Sequence, residues 1–83
     1  MPIPTMTPPT KVSTQIKAAG QDGDDLYVEF HGRNGKPSSV YRYWHHGDGK
    51  HPTVHLEPLL NGESAGTYFG QHIRGAYPYE KVS

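Results

Sequence analysis

The segment Leu26–Phe30, with the sequence LYVEF, carries the strongest strand signal in the chain. Its apolar side chains alternate with a tyrosine and a glutamate, and this period of two places leucine, valine and phenylalanine on one face of a strand. Turn signals flank the segment. Asp22-Gly23 precedes it and Asn34-Gly35 follows it, and both pairs suit the backbone of a tight reversal. We therefore predict a central strand between two turns.

Two neighbouring segments predict further strands. Residues 11–18 alternate, with Val12, Thr14, Ile16 and Ala18 on one side. Residues 40–44 are rich in β-branched and aromatic side chains. Because Arg42 is costly to bury without a partner, Tyr41 and Tyr43 are expected to face the core. The three strands form an antiparallel meander.

Two short helices are predicted after the strands. Pro52 suits a first helical turn, and Pro58 interrupts the segment, so this helix is expected to be partly 3₁₀ and to end near Asn61-Gly62. Ser64 caps a second helix that Gly75 terminates. Gly66 and Gly70 lie four residues apart on this helix, where we expect close packing. The predicted fold is α+β, a three-stranded antiparallel meander followed by two short helices packed on one face.

Length and composition limit the possible classes of protein. A chain of 83 residues forms one small domain. Four prolines in residues 1–10 predict a flexible Pro-rich arm, which leaves residues 11–83 as the single domain. Cysteine is absent, and no apolar run is long enough for a signal or a membrane span. We expect a soluble cytoplasmic protein without a membrane partner.

Charge and motifs argue against several functions. The eight basic and eight acidic residues cancel, so nucleic-acid binding would need a local patch. The sequence has no cysteine nucleophile, no Gly-x-Ser-x-Gly elbow, no phosphate loop and no His-Glu-x-x-His motif. The chain is predicted not to be an enzyme.

A series of short motifs runs through residues 12–82 in a fixed order. They are the opening Ser13 strand, Leu26-x-Val28-x-Phe30, Tyr41-x-Tyr43, Leu59-Leu60, Ser64-x-Gly66-x-Tyr68-Phe69, Ile73-Arg74 and Tyr77. In this order and spacing the motifs resemble the KTSC domain, a short bacterial and phage module found alone or at the C-terminus of some lysyl-tRNA synthetases. The turn at 32–39 and the loop at 44–51 depart from the family pattern, so nothing is inherited there.

The resemblance implies RNA or nucleotide binding, which has been suggested for the family without an established mechanism. Aromatic rings offer stacking faces and arginines can pair with phosphate. The candidate binding residues are Tyr41, Arg42, Tyr43, Trp44, Tyr68, His72, Arg74 and Tyr77. The alternative is a phage or bacterial protein-interaction module that docks on a host protein or self-assembles, for example as a homodimer. Tyrosine, tryptophan and arginine are common at protein interfaces, which supports this alternative.

A third hypothesis concerns a metal site. Five possible ligands fall within eleven residues, and His51 and His55 would lie one turn apart on a helix. The set is His45, His46, Asp48, His51 and His55. Zinc is the metal that this set would suit, and no other cofactor is expected.

Overall fold

A four-stranded antiparallel sheet covered by helices forms the protein in the computed structural model, which describes residues 4–32, 35–44 and 51–82. The strands are β1 Ile16–Asp22, β2 Asp25–Phe30, β3 Ser39–Tyr43 and β4 Tyr79–Lys81, in that order across the sheet. A 3₁₀ turn spans Pro52–His55, and two helices follow it, α1 Leu56–Asn61 and α2 Ala65–His72. The predicted α+β class is confirmed, and the sheet has one strand more than the sequence predicts.

The additional strand, β4, pairs antiparallel with β3 at the edge of the sheet. Tyr79 lies opposite Tyr43 and Lys81 lies opposite Tyr41. Three residues are too few to show an alternating pattern, so only the pairing with a distant segment identifies this strand. Its position matters for the site because Tyr79 joins the tyrosines of β3 on the face that carries the helices.

Strand β1 begins later and ends later than its alternation predicts. The hydroxyl of Ser13 accepts hydrogen bonds from the backbone N–H groups of Gln15 and Ile16, both at 3.1 Å, and this local turn replaces the first half of the predicted strand. The pairing with β2 then shifts between Ile16 and Ala18. This bulge brings Ala19 into the core cluster, which the regular alternation does not predict.

The core lies between the sheet and the helices. Leu26 and Val28 of β2 are fully buried, as are Leu59 of α1 and Ile73 after α2. The rest of the cluster consists of Ile16, Ala19, Tyr43, Ala65 and Phe69. Tyr43 is buried and Tyr41 packs against the cluster, which confirms that these tyrosines face inward.

Helix α2 has the ends that the sequence predicts. The hydroxyl of Ser64 accepts a hydrogen bond from the N–H of Thr67, and Gly75 has a φ of +80° beyond the last turn. The two glycines of the helix differ. A Cβ on Gly66 would lie 2.5 Å from the side-chain oxygen of Gln15, whereas a Cβ on Gly70 would meet nothing within 4 Å. The expected close packing therefore exists at Gly66 alone.

Part of the Pro-rich segment 1–10 contacts the domain. Thr7 and Ala19 exchange two backbone hydrogen bonds of 2.8 and 2.9 Å, and the N–H of Thr10 donates to the carbonyl of Leu60 at 2.7 Å. These contacts place residues 7–10 between the outer edge of β1 and the end of α1. Across the described ranges, no helix has both the length and the apolar character that crossing a membrane requires.

Candidate functional site

A groove of about 630 Å³ lies between the helix-covered face of the sheet and α2. One wall is aromatic, with Phe30 from β2, Tyr41 and Tyr43 from β3, and Tyr79 from β4. The opposite wall consists of Gly66, Phe69 and Gly70 on α2, with Arg74 just beyond the helix. A volume of this size is within the range of about 300–1,000 Å³ that is typical of small-molecule sites.

The rings of the aromatic wall contact one another in sequence across the sheet. Phe30 meets Tyr41 edge to face at 5.6 Å between centroids, and Tyr79 lies 5.8 Å from Tyr41 and 5.5 Å from Tyr43. Tyr79 is 59% exposed, in contrast to the buried Tyr43. The aromatic wall therefore has two ends. The buried Tyr43 forms the floor of the groove, and the exposed ring of Tyr79 lies at its rim.

Arg74 supplies positive charge to this groove. Its backbone N–H donates to the carbonyl of Phe69 at 2.9 Å, which fixes the start of its side chain next to the last turn of α2. No carboxylate in the described ranges forms an ion pair with its exposed guanidinium. The charge is therefore available to a ligand.

The pKa of the Tyr43 hydroxyl depends on groups that line the groove. Burial is the main cause that raises its pKa far above the ordinary value of 10.0, and the nearby Tyr79 and Tyr41 raise it further. The positive charge of Arg74 acts in the opposite direction. The hydroxyl is protonated at neutral pH, as an ordinary tyrosine hydroxyl is, and can donate a hydrogen bond.

Arg42 lies on the other face of the sheet and already has partners. Its Nε lies 2.7 Å from a carboxylate oxygen of Asp25, and its Nη1 pairs with Glu80 of β4. The guanidinium also lies 4.7 Å from the centre of the Trp44 ring. The hydrogen bond to Asp25 is the largest cause that raises the pKa of Arg42. This arrangement satisfies the arginine within the protein.

A third group of candidate residues surrounds His55 at the end of the 3₁₀ turn. Its Nδ1 lies 2.8 Å from the hydroxyl of Tyr68, and its Nε2 lies 3.2 Å from the hydroxyl of Tyr77. His72 stacks on His55 at 6.0 Å and packs against Tyr68 at 4.4 Å. Burial raises the pKa of Tyr68, and Tyr77 adds to the effect. These contacts join the 3₁₀ turn to α2 and the segment after it.

The structure thus divides the eight predicted binding residues among three places. Tyr41, Tyr43 and Arg74 meet in the groove. Arg42 and Trp44 lie on the opposite face of the sheet, and Tyr68, His72 and Tyr77 surround His55. The sequence reasoning missed Tyr79, because it predicted no strand there. No local pattern marks Tyr79 as a strand residue, because β4 has only three residues and is defined by its pairing with β3.

The predicted metal ligands lie only partly within the described residues. His45, His46 and Asp48 fall outside them. Nε2 of His51 lies 3.8 Å from a carboxylate oxygen of Asp24, and both ring nitrogens of His55 have tyrosine hydroxyls nearby. In the part of the chain that is described, no three histidine, aspartate or glutamate side chains form a group that could hold a metal ion. Zinc at His55 would have to displace a tyrosine hydroxyl, and the site stays a prediction.

Comparison with known proteins leaves the family undecided. No protein-family model matches the chain, and no curated protein matches it. The resemblance to the KTSC domain stays a prediction.

Proposed function

We propose that this protein is a small non-enzymatic binding module whose groove holds one nucleotide unit, either of RNA or of a free nucleotide. The observation that supports this proposal is the combination of an aromatic wall with the guanidinium of Arg74 at the rim. A nucleotide presents a planar ring and a phosphate at a short distance, and the groove offers a matching group for each.

The base is matched by the aromatic wall. A ring that stacks on Tyr79 covers an exposed aromatic face, and stacking between a base and an aromatic side chain contributes about 1–3 kcal/mol. The neighbouring Tyr41 and Tyr43 extend the wall into the groove. The base is neutral, so its transfer into this partly covered space costs less than transfer of a charged group.

The phosphate is matched by Arg74. Guanidinium and phosphate form paired, charge-assisted hydrogen bonds, which are stronger than bonds between neutral groups. Because Arg74 is exposed, the phosphate keeps much of its contact with water. The contact therefore avoids the cost of burying an ion pair.

The spacing of the remaining candidates favours one nucleotide over a long strand. Trp44 is beside Arg42 on the far face, and Tyr68 and Tyr77 contact His55. These rings do not extend the wall of the groove, and the net charge of the chain is zero. A long single strand needs a continuous basic track with repeated stacking positions.

An equilibrium binding experiment tests the proposal. A fluorescein-labelled, unstructured ribohexanucleotide is titrated with the protein, with fluorescence anisotropy as the readout, at several salt concentrations between 50 and 200 mM. We expect the binding constant to fall as the salt concentration rises. A plot of the logarithm of the binding constant against the logarithm of the salt concentration should have a slope of about −0.7, the value for one phosphate contact. Unlabelled ribonucleoside monophosphates should compete. Absence of binding, or affinity that is independent of salt, would contradict the proposal.

A further inference from the structure

The hydroxyl of Tyr43 is a buried polar group on the floor of the groove. Tyr43 is only 4% exposed, and its ring meets Phe69 edge to face at 5.5 Å. Among the described residues, no side chain or backbone group forms a hydrogen bond with this hydroxyl. Tyr68 and Tyr77 differ, since each has its hydroxyl within hydrogen-bonding distance of His55. Buried polar groups in proteins are normally paired, and a hydroxyl that lines a groove can pair with water or with a ligand there.

Tyr43 lines the groove, and so do the groups around its hydroxyl. The charged and titratable groups that act on its pKa are Tyr79, Tyr41 and Arg74, and all three line the same cavity. Burial favours the protonated form, so the group is a hydrogen-bond donor at neutral pH. A ligand that enters the groove with an acceptor atom can therefore pair with a donor that has no partner among the described residues.

Gly70 leaves open the space on the opposite wall. A Cβ on Gly70 would meet no atom within 4 Å, although glycine is much less favourable than alanine inside a helix. Gly66, one turn earlier, has a packing reason because Gln15 lies against it. No such reason applies to Gly70, which lines the groove. The absence of its side chain widens the cavity.

We propose that Tyr43 donates a hydrogen bond to the edge of the bound base, in the space that Gly70 keeps open. This inference rests on the proposed nucleotide function and adds an orientation, with the base inward and the phosphate outward at Arg74. The occupant is a nucleobase that turns a carbonyl oxygen or an unprotonated ring nitrogen toward the floor. An edge that carries only donors leaves the hydroxyl unpaired and binds more weakly.

The substitution Tyr43→Phe tests the inference because it removes one oxygen atom and keeps the ring. The probes are the ribohexanucleotide and the four ribonucleoside 5′-monophosphates. We expect the affinity of Tyr43→Phe for the best-binding monophosphate to fall about tenfold. Its salt slope should stay that of the wild type, since the phosphate contact is intact. Its Tm should not fall, because no hydrogen bond joins this hydroxyl to another described residue.

Gly70→Ala provides an independent variant that does not depend on the hydroxyl. Alanine should raise the Tm by a few degrees through its higher helix propensity. The added methyl group occupies the open space, so the affinity should fall at least threefold. A variant that is more stable and binds less well separates loss of the site from loss of the fold.

The outcomes distinguish the inference from the proposed function. If Tyr43→Phe and Gly70→Ala bind like the wild type while Arg74→Met binds poorly, the groove binds nucleotides and the orientation is wrong. If the wild type binds no probe, both proposals fail. If Tyr43→Phe weakens binding and also lowers the salt slope, the hydroxyl acts on the phosphate, and the base-inward orientation is overturned.

Discussion

Arg42 and Arg74 place the same functional group in two different settings. On the far face of the sheet, the guanidinium of Arg42 contacts Asp25, Glu80 and the ring of Trp44. In the groove, the guanidinium of Arg74 is exposed, and no carboxylate of the described residues pairs with it.

The tyrosines show the same contrast. Around His55, the hydroxyls of Tyr68 and Tyr77 lie within hydrogen-bonding distance of the imidazole, whereas the buried hydroxyl of Tyr43 has no partner in the described part of the chain. One set of polar groups thus holds the fold together, and the other set faces a cavity. Residue type alone does not separate these two sets of arginines and tyrosines, whereas their partners among the described residues do.

The largest expected effect comes from making the same change at both arginines. Arg74→Met should reduce the affinity for the ribohexanucleotide about 10- to 100-fold, because a charge-assisted contact contributes about 1.5–3 kcal/mol. The salt dependence of its binding constant should weaken by the amount that about one phosphate contact contributes, and its Tm should stay unchanged. Arg42→Met should lower the Tm and leave the affinity within about twofold. Anisotropy and thermal unfolding measure both quantities.

A charge control accompanies this pair. Lys17→Met removes one positive charge from an exposed position on β1 whose ammonium lies 3.9 Å from a carboxylate oxygen of Glu29. It should bind like the wild type. Equal loss of affinity in the Lys17 and Arg74 variants would mean that net charge, and not the groove, controls binding.

The next effect concerns the stability of the His55 cluster. His55→Phe removes the imidazole partner of two tyrosine hydroxyls, so the free energy of unfolding should fall by about 1–3 kcal/mol. Tyr68→Phe removes one of these bonds and should cost about half as much. Neither variant should change the affinity for RNA by more than about twofold. Urea unfolding and anisotropy test this, and a large loss of binding in Tyr68→Phe would place the ligand at His55.

A smaller effect is expected at the rim of the groove. Tyr79→Ala removes the exposed ring and should weaken binding by about 1–2 kcal/mol, or about 5- to 30-fold. Tyr79→Phe keeps the stacking face and serves as the matched control. Its affinity should be close to that of the wild type. Similar losses in both variants would show that the hydroxyl contributes more than the ring.

The smallest effect is a dependence of stability on alkaline pH. Folding raises the pKa of Tyr43 and of Tyr68 above the ordinary value of 10.0, so the unfolded chain releases these protons more readily. The stabilisation is fully present below pH 10 and is lost as the pH rises above it. From pH 9 to pH 11, wild type should lose about 1 kcal/mol more stability than Tyr43→Phe. Equal losses in urea unfolding would show that the hydroxyl of Tyr43 is hydrated in the fold.

Local patterns in the sequence were enough to predict the centre of the fold. The alternation in Leu26–Phe30 and the turn residues beside it act over a few positions, and β2 lies where they predict it. Strand β4 could not be predicted this way, since it depends on pairing with β3 across many residues of chain. The late start of β1 was also missed, because the hydrogen bonds of Ser13 compete with the regular strand.

The site could be predicted only in part, for a related reason. Alternation along β3 already separates Tyr41 and Tyr43 from Arg42, and the structure confirms that separation. The carboxylates that satisfy Arg42 come from β2 and β4, so their identity depends on strand pairing that the sequence does not display. The same holds for His55, whose tyrosine partners lie 13 and 22 residues away in the chain. A prediction from residue type therefore selected the groove residues Tyr41, Tyr43 and Arg74, but it also selected residues whose side chains pair within the fold.

The measurement that tests the central claim most directly is a two-dimensional ¹⁵N–¹H NMR titration of the full chain with the ribohexanucleotide. The largest shifts are expected at the backbone amides of residues that line the groove, which are Tyr41, Tyr43, Gly70, Arg74, Gly75 and Tyr79. The amides of residues 53–57 and of Asp25, near His55 and Arg42, should change little. Shifts concentrated at residues 53–57 or at Asp25, or no shifts at millimolar RNA, would contradict the claim that the groove is the binding site.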